Sequence, residues 1–259
     1  MSLPTFDRTG REKWEEWRDE VLSRARGEDM VRRGRLYDAK GGYTEAELGY
    51  PYFRRMGWQT KNKAFISEDN RIILPLYSDG FSFSLMALTD DGGQTWQFSN
   101  PLVGAGNIQP SLVQGGKGTL VAYMRDNGPS PKRLHISRSR DNGLTWSDVR
   151  DSQIPNPGAG ADLVTLGNGH WVLAFNDTER GRHRLAVSTS TDEGQIWSKP
   201  RHLAHDANKT TSFAYPAIVQ AKDGALHVVY SYHGRKDNGE AHKTIKHARF
   251  NEAWIVDQQ

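Results

Sequence analysis

Short apolar runs ending in turn residues recur four times along this chain. Runs at 64–66, 111–113, 162–166 and 217–220 end in Glu68-Asp69-Asn70, a Gly-rich cluster at 115–118, Gly167-Asn168-Gly169 and Lys222-Asp223-Gly224. A second apolar run follows each turn, at 72–77, 120–123, 171–175 and 226–230. Their length and their β-branched and aromatic content suit strands rather than helices. A polar loop and a third run come next, as at 184–188. Hairpins repeated in this way predict an all-β chain of successive antiparallel sheets.

An eight-residue pattern closes three of the repeats. Residues 89–96, 139–146 and 190–197 each read S/T-x-D-x-G-x-T-W, with Ile196 the one departure from Thr. Asp91, Asp141 and Asp192 lie 50 and 51 residues apart, a period in the range of a four-stranded propeller blade. In such a turn the carboxylate satisfies backbone amides, Gly adopts positive φ and Trp anchors the turn on the next strand. These aspartates are therefore read as structural. Aligned on them, blades fall at 58–103, 107–153, 158–205 and 212–257, the last with a decayed copy of the pattern around 250–254.

Residues 1–57 do not join the repeat. Trp14, Trp17, Val21 and Leu22 fall at helical spacing within 11–26, which predicts a short N-terminal helix packed outside the sheets. With no Cys, disulfides, thiolate metal sites and a cysteine nucleophile are excluded, but cytoplasm and periplasm both stay open. Arginines are scattered among acids at a net charge of only +3, which argues against a nucleic-acid partner. No stretch approaches the about 18 apolar residues of a membrane-spanning helix, and the first residues lack the apolar segment of a signal peptide. No histidine pair shows ligand spacing, so neither metal nor cofactor is expected.

The three octapeptides are Asp-boxes, and the chain resembles the sialidase-like BNR (bacterial neuraminidase) repeat proteins. That resemblance implies a β-propeller of sialidase type. Propellers of that family have six blades, so four recognisable four-stranded blades imply an incomplete ring whose open edges pair with a second copy or lean on the N-terminal helix.

In a propeller blade, the loop entering strand 1 and the loop after strand 2 open on one face, opposite the Asp-boxes. Entering strand 1 are Arg55, Trp58, Asn107, Gln109, Asn156, Asp162 and Tyr215. After strand 2 come Arg125, Asp126, Asn127, Asn176, Asp177, Glu179, Arg180, Tyr232 and His233. Charged and amide groups at the ends of buried strands need partners, which makes this face the candidate site.

Sialidases clamp a substrate carboxylate with three arginines, a task suited to guanidinium forks, and use Tyr as nucleophile with a Glu to activate it and an Asp as acid/base. Carried over, the resemblance puts Arg125 and Arg180 on two of the arginines and Tyr215 on the nucleophile. Arg125 and Arg180 thus fall on the family's second and third arginines, Arg55 is a substitute for the first, and Asp126 or Asp177 is a candidate acid/base. Gln109 stands where the Glu belongs, and an amide takes no proton from a phenol. Three functions follow: a glycoside hydrolase acting on an acidic sugar; a lyase or hydrolase of rhamnose–uronate glycans using Tyr232, His233 or Tyr215; and a glycan-binding propeller without turnover, using Trp58 and the asparagines. The partner in each case is an acidic glycan.

Overall fold

The structure is a computed structural model that describes residues 58–257, apart from 79–82, 103, 105, 129 and 237. The expected N-terminal helix and Arg55 lie outside the described residues.

Among those residues, four antiparallel sheets follow one another in chain order. In the first, β1 (Trp58–Gln59) and β2 (Phe65–Ile66) both pair with β3 (Ile72–Ser78), which is followed by β4 (Phe83–Thr89) and β5 (Gln97–Phe98). The second comprises β6 (Asn107–Gln114), β7 (Leu120–Asp126), β8 (Arg133–Ser139) and β9 (Arg150–Pro155). The third is β10 (Asp162–Thr165), β11 (Trp171–Phe175), β12 (Arg184–Ser190) and β13 (Arg201–His205). The fourth has three strands, β14 (Ser212–Gln220), β15 (Leu226–Arg235) and β16 (Ala241–Phe250). These are four blades in a propeller arrangement.

The blades stack face to face, which explains why strands such as β11 are buried along their whole length. Ile73, Met86 and Leu88 of blade 1 pack with Leu112, Leu120 and Met124 of blade 2. Val113, Tyr123 and Ile136 meet Leu163, Trp171 and Phe175 between blades 2 and 3. Val172, Leu185 and Val187 meet Ile218, Leu226 and Val228 between blades 3 and 4. The far face of blade 4 is different: Val219, Val229 and Ile245 are 50%, 42% and 74% exposed. Val113 and Tyr123, at the equivalents of Val219 and Val229 in blade 2, are buried.

The Asp-box turns share one hydrogen-bond scheme. Thr89, Ser139 and Ser190 donate their hydroxyls to Asp91, Asp141 and Asp192 at 2.7, 2.8 and 2.8 Å. The same hydroxyls accept the amides of Gly93, Gly143 and Gly194, each at 2.9 Å. Each Asp also accepts the amide four residues on, from Thr95, Thr145 or Ile196. Thr95 and Thr145 add their hydroxyls, holding Asp91 and Asp141 below the usual carboxylate range. Ile196 has no hydroxyl to add and stands 73% exposed, so the third turn lacks that side-chain bond.

Blade 4 closes differently. Where a decayed Asp-box was expected, Asn251 caps a helix, α1 (Glu252–Val256), its Oδ1 accepting the Trp254 amide at 2.9 Å. Ile255 is fully buried between blades 3 and 4, and Glu252 reaches His170 at 2.6 Å and Asn168 at 2.8 Å. Asn followed by Glu and an apolar residue serves a helix N-terminus as readily as a turn, and the buried seat for Ile255 favours the helix.

Candidate functional site

All four blades turn from strand 1 to strand 2 through five-residue loops: 67–71, 115–119, 166–170 and 221–225. Counting back five residues from the last paired residue of each inner strand therefore gives equivalent positions, namely Lys61, Gln109, Gly160 and Tyr215. They form one layer at the channel mouth. A Cβ on Gly160 would stand 3.0 Å from Gln109 Oε1, 3.1 Å from Lys61 Cε and 3.3 Å from Tyr215 Cδ1. Three side chains thus converge on the place where the fourth blade position carries none.

Gln109 and Tyr215 sit on bulges that shift the register between Ile108 and Ser111 and between Ala214 and Ala217. Both hold positive φ, 57° and 53°, a conformation that costs a non-glycine residue about 1 kcal/mol or more. The bulges turn these two side chains into the channel. Gln109 is 4% exposed; its Nε2 donates to the Tyr77 hydroxyl at 3.4 Å and its Oε1 has no hydrogen-bond partner among the described residues. Tyr215 is 42% exposed, and the Arg182 guanidinium lies 5.5 Å from its ring centre. Arg182 is itself anchored on the Gly158 carbonyl at 2.7 Å. Lys61 crosses the channel from blade 1 to donate to Pro216 O at 2.6 Å and Ala161 O at 3.3 Å. Burial pushes its ammonium down to about 8, against the pull of Asp162.

Two residues further along each strand lies a second layer: Lys63, Ser111, Asp162 and Ala217. The Asp162 carboxylate, 1% exposed, accepts from Lys63 Nζ at 2.9 and 2.8 Å, from the Ser111 hydroxyl at 2.7 Å and from the Ile218 amide at 2.9 Å. One buried acid therefore ties all four blades together beneath the mouth.

The other sequence candidates occupy varied places. Asn107, Asn156 and Asn176 are fully buried and donate to backbone carbonyls of Leu102, of Ala159, and of Arg184 and Phe213. They pin loops. Asp126, 1% exposed, accepts the amides of Gly128 and Arg133 and the Lys132 ammonium, and desolvation raises its pKa. His135 stands between Asp126 and Asp151, at 3.8 and 3.3 Å. Asp177 pairs with His202 at 3.1 Å, and Glu179 with Arg133 at 2.5 Å. Arg125 is half-buried on β7 opposite Ile108, and the backbone of Asn127 donates to Gly106 O. Trp58 packs edge-on to Phe83. Arg180 is exposed, its carbonyl accepting from Thr178, so the arginine against Tyr215 is Arg182. Tyr232 contacts Phe213, His242 and Lys246, and His233 is exposed opposite Lys243. Those contacts run along blade 4 rather than to Tyr215.

Sequence reasoning passed over Lys61 and Arg182. The five-residue count would have found Lys61 from the repeat alone. Nothing in the sequence separates Arg182 from Arg180.

The family model for BNR repeat-like domains matches residues 47–228. The chain belongs to the BNR repeat-like family. Solved structures similar to this BNR repeat-like chain include the NanB sialidase of Streptococcus pneumoniae, 20% identical with a TM-score of 0.59 over 74% of this chain and 30% of that one. The intramolecular trans-sialidase of Ruminococcus gnavus, solved with oseltamivir carboxylate, is 20% identical with a TM-score of 0.58 over 78% of this chain and 44% of that one. The α-L-arabinanase of Penicillium chrysogenum is 14% identical with a TM-score of 0.57 over 74% and 63%. At these identities the likeness is one of fold, and the chain spans less than half the length of both sialidases. No curated protein matches the chain.

Proposed function

We propose that this BNR repeat-like chain is a sialidase-like glycoside hydrolase whose channel mouth takes an acidic sugar. One observation carries the reading: Tyr215 is held at positive φ, against Arg182, where Lys61 and Gln109 also converge. A strained tyrosine beside an arginine suits an anionic ligand and a phenolic nucleophile. Arg182 holds the carboxylate, and the buried Gln109 amide offers its unpartnered oxygen to a sugar hydroxyl. The Tyr215 oxygen attacks the anomeric carbon as the glycosidic bond breaks, and its phenolic proton passes by way of neutral Lys61 to the departing oxygen. Water then attacks the same carbon, the bond to Tyr215 breaks, and the proton lost by the water returns to the phenol. Burial lowers the Lys61 pKa and so populates the neutral amine, the form able to take the proton that Gln109 is unable to accept.

Gln109 also favours a second reading, a propeller that binds acidic glycan without turnover. Incubation with sialosides and rhamnose–uronate oligosaccharides, followed by mass spectrometry, separates the two. Release of free acidic sugar by the wild type, its loss in Tyr215→Phe and unchanged glycan affinity in that variant are expected. Turnover surviving in Tyr215→Phe would overturn the nucleophile, and wild-type binding without any product would leave the non-catalytic reading.

A further inference from the structure

A cavity of about 660 Å³ opens on the opposite side of the ring, between the outer strand of blade 3 and the first turn, last strand and closing helix of blade 4. Among the described residues blade 4 ends in α1 rather than a fourth strand, and the end of β16 borders the cavity opposite Leu203. The turn at 221–225 that borders it lies at the far end of β14 from Tyr215, about 17 Å along the strand. One sugar unit therefore cannot occupy both places.

The wall of the cavity is aromatic. Trp254 and Phe250 line it with ring centres 5.2 Å apart. Trp254 is fixed from behind by Arg201, whose guanidinium stands 4.1 Å from the indole centre and donates to the carbonyls of Trp254 and Asp257. Arg201 does not line the cavity. At the rim, Asp223 and Arg249 face each other at 3.0 Å, both well exposed. Asn251 completes the rim; its Oδ1 is taken by the Trp254 amide, leaving Nδ2 as a donor.

We propose that this cavity is a second glycan site that takes a neutral hexopyranose. An immobilised indole offers a flat apolar surface on which the C–H face of a pyranose is desolvated with little loss of side-chain entropy. Vicinal hydroxyls both donate and accept, so they match an acceptor and a donor placed side by side, as Asp223 and Arg249 are. The two charges cancel, which disfavours the anionic sugar proposed for the channel mouth and favours an uncharged one. The volume accommodates one or two rings. The site stands on its own geometry and does not depend on the activity proposed for Tyr215.

The test is a titration of the full chain followed through its Trp indole N–H signals by NMR, with the Trp254 signal assigned from Trp254→Phe. The probes are the methyl glycosides of galactose, glucose and mannose, with adenosine as a flat non-sugar control. At least one glycoside is expected to shift the Trp254 signal saturably. Asp223→Ala and Arg249→Ala, both at exposed positions, are expected to weaken that binding about tenfold. Tyr215→Phe is expected to leave it unchanged. The proposal is overturned if no glycoside moves Trp254 at about 100 mM, a concentration at which even weak binding saturates. A response to adenosine alone, wild-type affinity in both rim variants, or loss of the shift in Tyr215→Phe overturns it equally.

Discussion

Asp162→Ala is predicted to be among the most damaging single changes outside the apolar core. The Asp162 carboxylate is buried and holds Lys63, Ser111 and the Ile218 amide at 2.7–2.9 Å, joining blade 3 to the other three. Removing it leaves a buried N–H and a buried hydroxyl without their acceptor, at about 1–3 kcal/mol for each unsatisfied group. Lys63 escapes more cheaply because its side chain is 40% exposed and water solvates it. The expected loss is about 3–5 kcal/mol, a large part of the roughly 5–15 kcal/mol of a folded domain. At about 2–4 °C per kcal/mol for a chain of this size, the melting temperature should fall by about 10 °C. Asp162→Asn keeps the shape and one acceptor oxygen and should lose about half as much. Urea and thermal unfolding followed by Trp fluorescence measure both variants. A fall below about 2 °C for Asp162→Ala, or an equal loss in Lys63→Met, would refute the view that this acid is the hub of the ring.

Three further outcomes are expected. Because burial lowers Lys61 from 10.5 to about 8, the unfolded chain holds a proton between those values that the folded chain has released, so the unfavourable contribution of Lys61 shrinks as pH rises through that window. Lys61→Met should remove that upward slope from urea-derived stabilities, and parallel slopes in the two proteins would count against it. Tyr215→Gly relieves a positive φ of 53° while losing the contact with Arg182; stability should change by less than about 1 kcal/mol while turnover or acidic-glycan binding disappears, as calorimetry and a glycan assay together would show. Gly194→Ala places a Cβ 2.5 Å from the Tyr123 hydroxyl and 3.0 Å from Trp171, and should cost about 3 kcal/mol. Gly92→Ala, with nothing within 4 Å, should cost only the about 1 kcal/mol of its positive φ; equal melting temperatures would reject this distinction.

The sequence by itself determined whatever is local. An Asp-box places its donors and acceptors within eight residues, so Asp91, Asp141 and Asp192 could be assigned to turns without knowing what the turns pack against. Strand periodicity is local in the same way, and it located the inner hairpins of all four blades. The tertiary structure decided what depends on distant partners. Buried Ile255 and the contacts of Glu252 with blade 3 made a helix of the segment after Phe250. Which arginine reaches Tyr215 depended on the path of the loop after β11, where a two-residue step separates an exposed Arg180 from an Arg182 anchored on Gly158. Lys61, Gln109, Gly160 and Tyr215 share a place only because four separate hairpins stack around one axis. Side chains some fifty residues apart leave no mark on one another in the sequence, and only blade packing brings them within contact.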